Sequence, residues 1–353
     1  MRILIDVNHP AHVHLFRCAA REWEKRGHAV FWTARDKDIV IRLLDQYGFE
    51  YTVLSSHRKG LLGMACEMVQ RDWKMLRYAM KVKPDVMLGT SVTITHISRL
   101  YPAKSILFME SDPSLVRFIV WLSFPFAHAI VLPNCLSYTW GKKVYTHNSS
   151  HKLADTHPKW FTPDPSVLDE LGVKPGETYF VVRFIAWGAS HDIGEGGLSI
   201  DAKKRLVAFL AARGRVFITS ETELDPDFEP YRLRIEPNRI HDALHYATLF
   251  VGDSQSMSVE APILGTPALR CNSFVGRTTV IDELESKYDL AYGFRPSEFE
   301  KMLSKIEELL ARRNLKEEWM KKRERYLAEH GDMTSWMVQF VEEYMTGKRG
   351  PCT

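Results

Sequence analysis

The chain has 353 residues, 45% of them hydrophobic and 26% charged, enough for about two ordinary globular domains and too apolar for intrinsic disorder. Lys plus Arg number 47 against 44 Asp plus Glu, a net charge of +3, too small to argue for nucleic acid through bulk electrostatics. The 5 cysteines lack CxxC spacing, which argues against a disulfide framework or a cysteine zinc site and fits a reducing cytoplasm. The opening MRILID meets charge at once and reads as a strand, not a signal peptide. No run reaches the ~18 uncharged apolar residues of a membrane span. The nearest approach, residues 118–133, is interrupted by Pro125 and His128. Its aromatic cluster of Phe118, Trp121, Phe124 and Phe126, with Arg117 beside it, reads as core and leaves room for peripheral membrane contact.

Residues 3–7 form a continuous apolar run, the mark of a strand buried on both faces of a parallel sheet. A loop holding His9, His12 and His14 follows, then a helix over 13–26 stopped by Gly27, and a strand over 29–33. The alternation continues. Helices are expected over 37–47, 61–82, 92–101 and 114–123, and strands over 51–54, 85–88, 105–109 and 129–132, a doubly wound α/β domain. Residues 142–165 change character, with several prolines and histidines and little periodicity, and the inter-domain linker falls near 161–165. A second α/β unit then begins. Its strands are expected over 178–184, 216–219, 234–235, 249–251 and 268–270, and its helices over 200–213, 240–247, 257–264, 278–285, 299–312 and 316–329. An amphipathic helix over 334–345 closes the chain. The domains are therefore 1–162 and 163–331, with 332–353 a C-terminal helix that can cross back to the first domain.

Open α/β sheets bind ligands beyond the C-terminal ends of their strands, and two such domains in tandem would face a shared cleft. Residues 251–270, VGDSQSMSVEAPILGTPALR, carry the clearest signal there. A strand end breaks at Gly252, and a helix restarts that Ser254 or Ser256 can cap, with Glu260 in its first turns. Unpaired N–H groups and the helix dipole suit phosphate, and a carboxylate one turn further in can accept hydrogen bonds from a ribose. In the first loop, His12 is the candidate general base, because the dipole at a helix start disfavours the imidazolium. The three histidines could instead cap or pack the helix, or ligate a metal given partners from elsewhere. Glu110 emerges at a strand end, placed to act as acid, base or sugar-hydroxyl acceptor, whereas Asp112 before Pro113 suits a turn. Arg183, inside an apolar strand, needs either a carboxylate or a ligand phosphate. The loop WGASHDIGEGGLS after it is a weak phosphate-loop signal. Ser220, Glu221 and His241 complete the second domain's candidates, with His241 either packing its helix or reaching a base or ribose pocket. There is no GxSxG, HExxH, Walker or kinase pattern.

The stretches MRILIDVNHPAHVHLFR, RGHAV, Glu110-Ser111-Asp112, RIHDALHYATLFVGDSQSMSVEAPILGTPALR and KYDLAYGF together resemble an uncharacterised archaeal and bacterial family of glycosyltransferase-B-like proteins, over nearly the full length. That resemblance implies a GT-B architecture of two Rossmann-like domains. DSQSMSVEAPILGTP is similar to DSGGIQEEAPSLGKP of the non-hydrolysing UDP-N-acetylglucosamine 2-epimerases, in which the serine and its neighbours hold diphosphate and the last glutamate holds ribose. The similarity implies diphosphate on Ser254 and Ser256, with Gln255 beside them, ribose on Glu260, and a catalytic carboxylate at Glu110. Gln255 and Ser256 replace two glycines of that family. Its acidic residue after a PDV strand is unmatched at Gly89-Thr90-Ser91, as is its histidine-arginine motif near Arg183-Phe184. His9-Pro10-Ala11-His12-Val13-His14 resembles the first loop of MurG-type glycosyltransferases, keeping a histidine without the glycines.

The expectation is a metal-independent glycosyltransferase of glycan or glycolipid synthesis. It would use a nucleotide-diphosphate sugar as substrate and no separate cofactor, with a glycan or lipid-linked acceptor and no nucleic acid partner. Arg183, Ser220, Glu221, His241, Ser254, Gln255, Ser256 and Glu260 would hold the donor, and His12 and Glu110 would do the chemistry. The alternatives are a nucleotide-sugar 2-epimerase or hydrolase, or a binding protein without activity.

Overall fold

Ile3, Leu4, Ile5 and Val7 are fully buried, as a strand covered on both faces requires. They form β1 (Arg2–Val7) of a computed structural model that describes residues 1–56, 60–136, 140–185, 196–220 and 224–348. After β1 the chain alternates through α1 (Pro10–Lys25), β2 (Ala29–Asp36), α2 (Val40–Gln46), β3 (Tyr51–Ser56) and α3 (Leu61–Val82). It continues through β4 (Val86–Gly89), α4 (Val92–Leu100), β5 (Lys104–Phe108), α5 (Arg117–Ser123), β6 (Ala129–Pro133), β7 (Val144–His147) and α6 (Leu153–Thr156). The seven strands form a parallel sheet in the order β3-β2-β1-β4-β5-β6-β7. The order reverses between β1 and β4, so right-handed crossovers put α1 and α2 on one face and α3, α4 and α5 on the other. Pairing at that reversal is close. A Cβ on Gly89 would lie 2.8 Å from the Asp6 carbonyl oxygen, which leaves room only for glycine.

The chain divides into two units, residues 1–160 with 331–353 and residues 161–330. The second comprises α7 (Ser166–Leu171), β8 (Tyr179–Phe184), α8 (Ile200–Ala211), β9 (Arg215–Ser220), α9 (Ile240–Tyr246) and β10 (Leu249–Gly252). It then adds α10 (Gln255–Ile263), β11 (Ala268–Cys271), α11 (Thr279–Ser286), β12 (Ala291–Phe294), α12 (Phe299–Leu310) and α13 (Leu315–Glu329). Its parallel sheet runs β12-β11-β10-β8-β9 and reverses between β8 and β10. A side chain on Gly252 would collide with the Arg183 carbonyl there.

The last helix, α14 (Met333–Met345), belongs to the first unit and packs on α1. Met333, Met337, Val338, Phe340 and Val341 form its buried face. Asp332 caps it through the Ser335 N–H at 2.9 Å and also accepts the Trp160 indole N–H at 2.7 Å. Glu342 takes Arg26 at 2.9 Å.

Three sequence expectations differ from this architecture. The segment read as irregular holds β7 and α6. Residues 234–235 form no strand, the local pairing being a single bridge between Ile218 and Arg232. Phe124 is core at 0% exposure, but Phe118 and Trp121 are 68% and 69% exposed and Phe126 40%. The helical spacing puts Phe118 and Trp121 on one face, and that face is the outward one. Among the described residues no helix is long and apolar enough to cross a membrane.

Candidate functional site

The reversal point of each sheet gathers loops from two adjacent strands that diverge, which opens a crevice at their C-terminal ends. In the first unit these are the loops after β1 and β4, joined by the ends of β5 and β7. Beneath the first loop lies Asp6, fully buried. Its carboxylate accepts Arg71 Nη2 at 2.5 Å, the Thr33 hydroxyl at 2.8 Å and the Ser91 hydroxyl at 2.5 Å. Arg71 is only 4% exposed and also donates to Asn8 Oδ1 at 2.5 Å and Ser55 Oγ at 3.1 Å. A buried charge pair is costly unless its hydrogen-bonding capacity is met, and this network meets most of it with groups from β1, β2, β3, α3 and the residue before α4, leaving Arg71 Nε without a partner among the described residues.

That network carries the histidine loop. His9 caps α1 by accepting the Ala11 N–H at 3.2 Å, with Pro10 in the first turn where its missing N–H costs nothing. His12 lies in the same turn. Its Nδ1 accepts the Asn8 N–H at 3.2 Å, and the Thr90 hydroxyl stands 3.0 and 2.9 Å from its two ring nitrogens. Burial, then the positive charge of Lys152, brings His12 down to about 3, with Asp6 pulling the other way. The ring is neutral at working pH and, with Nδ1 accepting, carries its proton on Nε2. His14 instead binds Asp155 at 2.6 Å, a carboxylate shared with Arg17 at 3.0 Å. The three histidines thus have separate partners: the Ala11 N–H for His9, the Asn8 N–H and the Thr90 hydroxyl for His12, and Asp155 for His14.

Glu110 follows β5. Its Oε1 accepts the Ser150 hydroxyl at 2.7 Å and the His151 N–H at 2.6 Å. The His151 ring stacks on His147 with centroids 5.6 Å apart, and burial lowers it to about 3, with Lys152 adding to the effect. Its Nε2 is buried with no hydrogen-bond partner among the described residues, an arrangement that costs free energy unless a ligand supplies the partner. Ser150, His151 and Lys152 were not singled out from sequence. The usable signal was their position just past a strand, hidden because the β7 residues were read as an irregular segment. Asp112 is in a turn, its carbonyl accepting the Leu115 N–H at 3.0 Å.

In the second unit the loop after β10 turns into α10. Asp253, fully buried, ties that loop to β8 by accepting the Ile185 N–H at 2.8 Å. Ser254 is the N-cap of α10, its hydroxyl 3.5 Å from the Met257 nitrogen. Gln255 and Ser256 occupy the first turn, partly exposed, where helix N–H groups have no acceptor within the helix. Glu260 is buried on the same helix, its Oε2 3.7 Å from Nε2 of the equally buried His241 on α9. Arg183 is the penultimate residue of β8 and Ser220 the last of its neighbour β9, and Arg183 donates to the Thr219 hydroxyl at 2.8 Å. The structure therefore brings His241 to Glu260 and sets Arg183 beside β10. Glu221 and most of the glycine-rich loop after Ile185 lie outside the described residues.

A family model described as a protein of unknown function (DUF354) matches residues 1–156. An uncharacterized protein of Methanocaldococcus jannaschii, MJ0665, is 22% identical over 283 residues, 76% of this chain and 81% of that protein. Among solved structures, a putative UDP-N-acetylglucosamine 2-epimerase from Listeria monocytogenes superposes with a TM-score of 0.71 at 11% identity, covering 99% of this chain and 98% of that one. MurG of Acinetobacter baumannii superposes at 0.56 and 14% identity, covering 97% and 99%. At such identities the likeness is one of fold. The chain has the GT-B fold, two α/β domains with parallel sheets of seven and five strands.

Proposed function

We propose that this protein is a glycosyltransferase that moves a sugar from a nucleotide diphosphate to an acceptor hydroxyl of a glycan or glycolipid. The observation that carries the reading is the start of α10. A capped helix N-terminus stands at the sheet reversal point, and a buried carboxylate and imidazole lie on and beside the same helix. The N–H groups of Gln255 and Ser256 and the helix dipole suit a diphosphate, with the Ser254 and Ser256 hydroxyls beside it. Glu260, backed by His241, suits the two hydroxyls of a ribose. Arg183 and Ser220, near the ends of the neighbouring strands, complete the described part of the donor's surroundings. In transfer, the acceptor oxygen loses its proton and bonds to the anomeric carbon. The bond from that carbon to the diphosphate breaks, and its electron pair leaves with the nucleoside diphosphate. The helix N-terminus offsets the charge that builds on that leaving group, so the chemistry needs no metal.

The first unit handles the proton. With Nδ1 already accepting the Asn8 N–H, His12 offers an N–H more readily than a lone pair, and a ring at about 3 is a weak base. We therefore assign proton acceptance to Glu110, oriented by Ser150 and the His151 N–H, and assign His12 the neutral donor that holds the acceptor oxygen. The Listeria epimerase likeness and Glu110 favour one second reading, an epimerase acting on the nucleotide sugar itself. Incubation of a nucleotide-sugar panel without acceptor, followed by NMR, separates the two, because only an epimerase or hydrolase changes the sugar there.

Donor binding is tested by thermal shift. A nucleoside diphosphate at 100 times its Kd stabilises by ~2.7 kcal/mol, which is about 5–10 °C for a unit of this size. Glu260→Ala should lower that shift while leaving the response to inorganic pyrophosphate unchanged. No shift with any nucleoside diphosphate would sink the reading, and an unchanged Glu260→Ala would remove the ribose role.

A further inference from the structure

The helices α3, α4 and α5 lie side by side, α3 against α4 and α4 against α5, and their outward face is apolar. On α3, Leu62, Val69, Trp73 and Met80 are 84%, 66%, 56% and 53% exposed. Their spacing of seven, four and seven residues makes one stripe along the helix. Leu100, at the end of α4, is 69% exposed, and Phe118 and Trp121 on α5 nearly the same. His96 links the three helices. It joins Asp72 of α3 at 2.8 Å to the Leu122 carbonyl at 3.1 Å, and its ring meets the edge of Phe126 at 5.4 Å. So many large exposed side chains on adjoining elements is uncommon on the free surface of a monomer and marks an interaction site.

The charges on this face have one sign. Arg77, Lys81, Arg99 and Arg117 are all exposed. The acidic residues of α3 are otherwise engaged, Glu67 buried against Arg35 at 2.6 Å and Asp72 against His96. Arg77 stacks over the Trp73 ring at 4.7 Å, and Arg99 donates to the Phe126 carbonyl at 2.9 Å. Cations thus stand directly beside the aromatic groups. We infer that this face is a docking surface for an anionic lipid bilayer: tryptophan and phenylalanine enter the headgroup–acyl boundary while the arginines and lysines contact lipid phosphates. A second copy of the chain fits less well. A two-fold contact would set Arg77, Lys81, Arg99 and Arg117 against their own counterparts with no exposed carboxylate between them. The inference stands on the surface alone and does not depend on the reaction proposed above.

Vesicle flotation of the full chain tests it, with phosphatidylcholine vesicles containing or lacking phosphatidylglycerol, at low and high salt. Binding should be at least about tenfold stronger to the anionic vesicles and fall with salt. Phe118→Ser/Trp121→Ser should lose it by about tenfold or more with unchanged circular dichroism and melting temperature, since both side chains are exposed. Arg77→Glu/Arg117→Glu should lose it while keeping the aromatic groups. No binding, equal binding to neutral vesicles, or wild-type binding by both variants overturns the inference. So does a sedimentation-velocity dimer that Phe118→Ser/Trp121→Ser converts to monomer, which would assign the face to a second copy.

Discussion

Replacing Asp6 by Asn removes the charge beneath the histidine loop without changing the side chain's size. The carboxylate accepts three short hydrogen bonds, from Arg71, Thr33 and Ser91. An amide offers one oxygen in its place and turns an NH₂ group toward at least one of those donors. Arg71, 4% exposed, is left as a buried cation without its counter-charge. Breaking a buried pair from one side costs about 3–5 kcal/mol. For a unit of this size that is a fall of roughly 6–20 °C in melting temperature, read by calorimetry or circular dichroism. Arg71→Met alone should cost a similar amount. The double variant should be less destabilised than the sum of the singles by about 2 kcal/mol or more, because it leaves neither charge stranded. Arg71 also holds Asn8, whose N–H holds His12, so Asp6→Asn should lower turnover while leaving nucleotide affinity in the second unit unchanged. An Asp6→Asn melting temperature within about 2 °C of wild type, or additive singles, would refute the argument that the pair is the support of this loop.

Two further outcomes follow from the first unit. His12 and His151 sit at about 3 in the folded protein and near 6.5 when unfolded. Below pH 6.5 the unfolded chain therefore binds protons that the folded chain refuses. Their contribution to stability is complete above pH 6.5 and is lost as pH falls from there toward 3, by up to about 1.4 kcal/mol per pH unit for each ring. Urea midpoints at pH 7 and 5 should differ accordingly, and His151→Gln should flatten the dependence; an identical slope in that variant would contradict it. Glu110→Gln should cut turnover by about 10²–10⁴-fold if the carboxylate accepts the acceptor's proton. Nucleotide binding by titration calorimetry should stay unchanged, and wild-type turnover in the variant would move the proton to another group.

The strands over 3–7, 129–132 and 179–184 were legible because both their faces are buried and the sequence there is apolar apart from Asp6 and Arg183. The turn at Ser254 was legible because capping is a local bargain between one hydroxyl and the next turn's N–H groups. β7 was not, since buried Tyr145 and His147 alternate with exposed Thr146 over only four residues, too short for a period to stand out. The cluster around Phe118 shows a related limit. Periodicity states that Phe118 and Trp121 share a face, and only the packing of Val120 and Phe124 beneath them shows that this face is turned outward.

Local pattern by itself thus determined the alternation of strands and helices, the two α/β sheets, and the placing of histidines, carboxylates and hydroxyls at strand ends. The tertiary structure decided which of them meet. Asp6 and Arg71 are 65 residues apart in the chain, and Glu110 and His151 41. Their pairing depends on the strand order, which sets β1 beside β4 and β7 at the far edge of the sheet. That order follows from the direction of each crossover and from the burial of the whole apolar surface. Neither quantity is carried by a short stretch of residues.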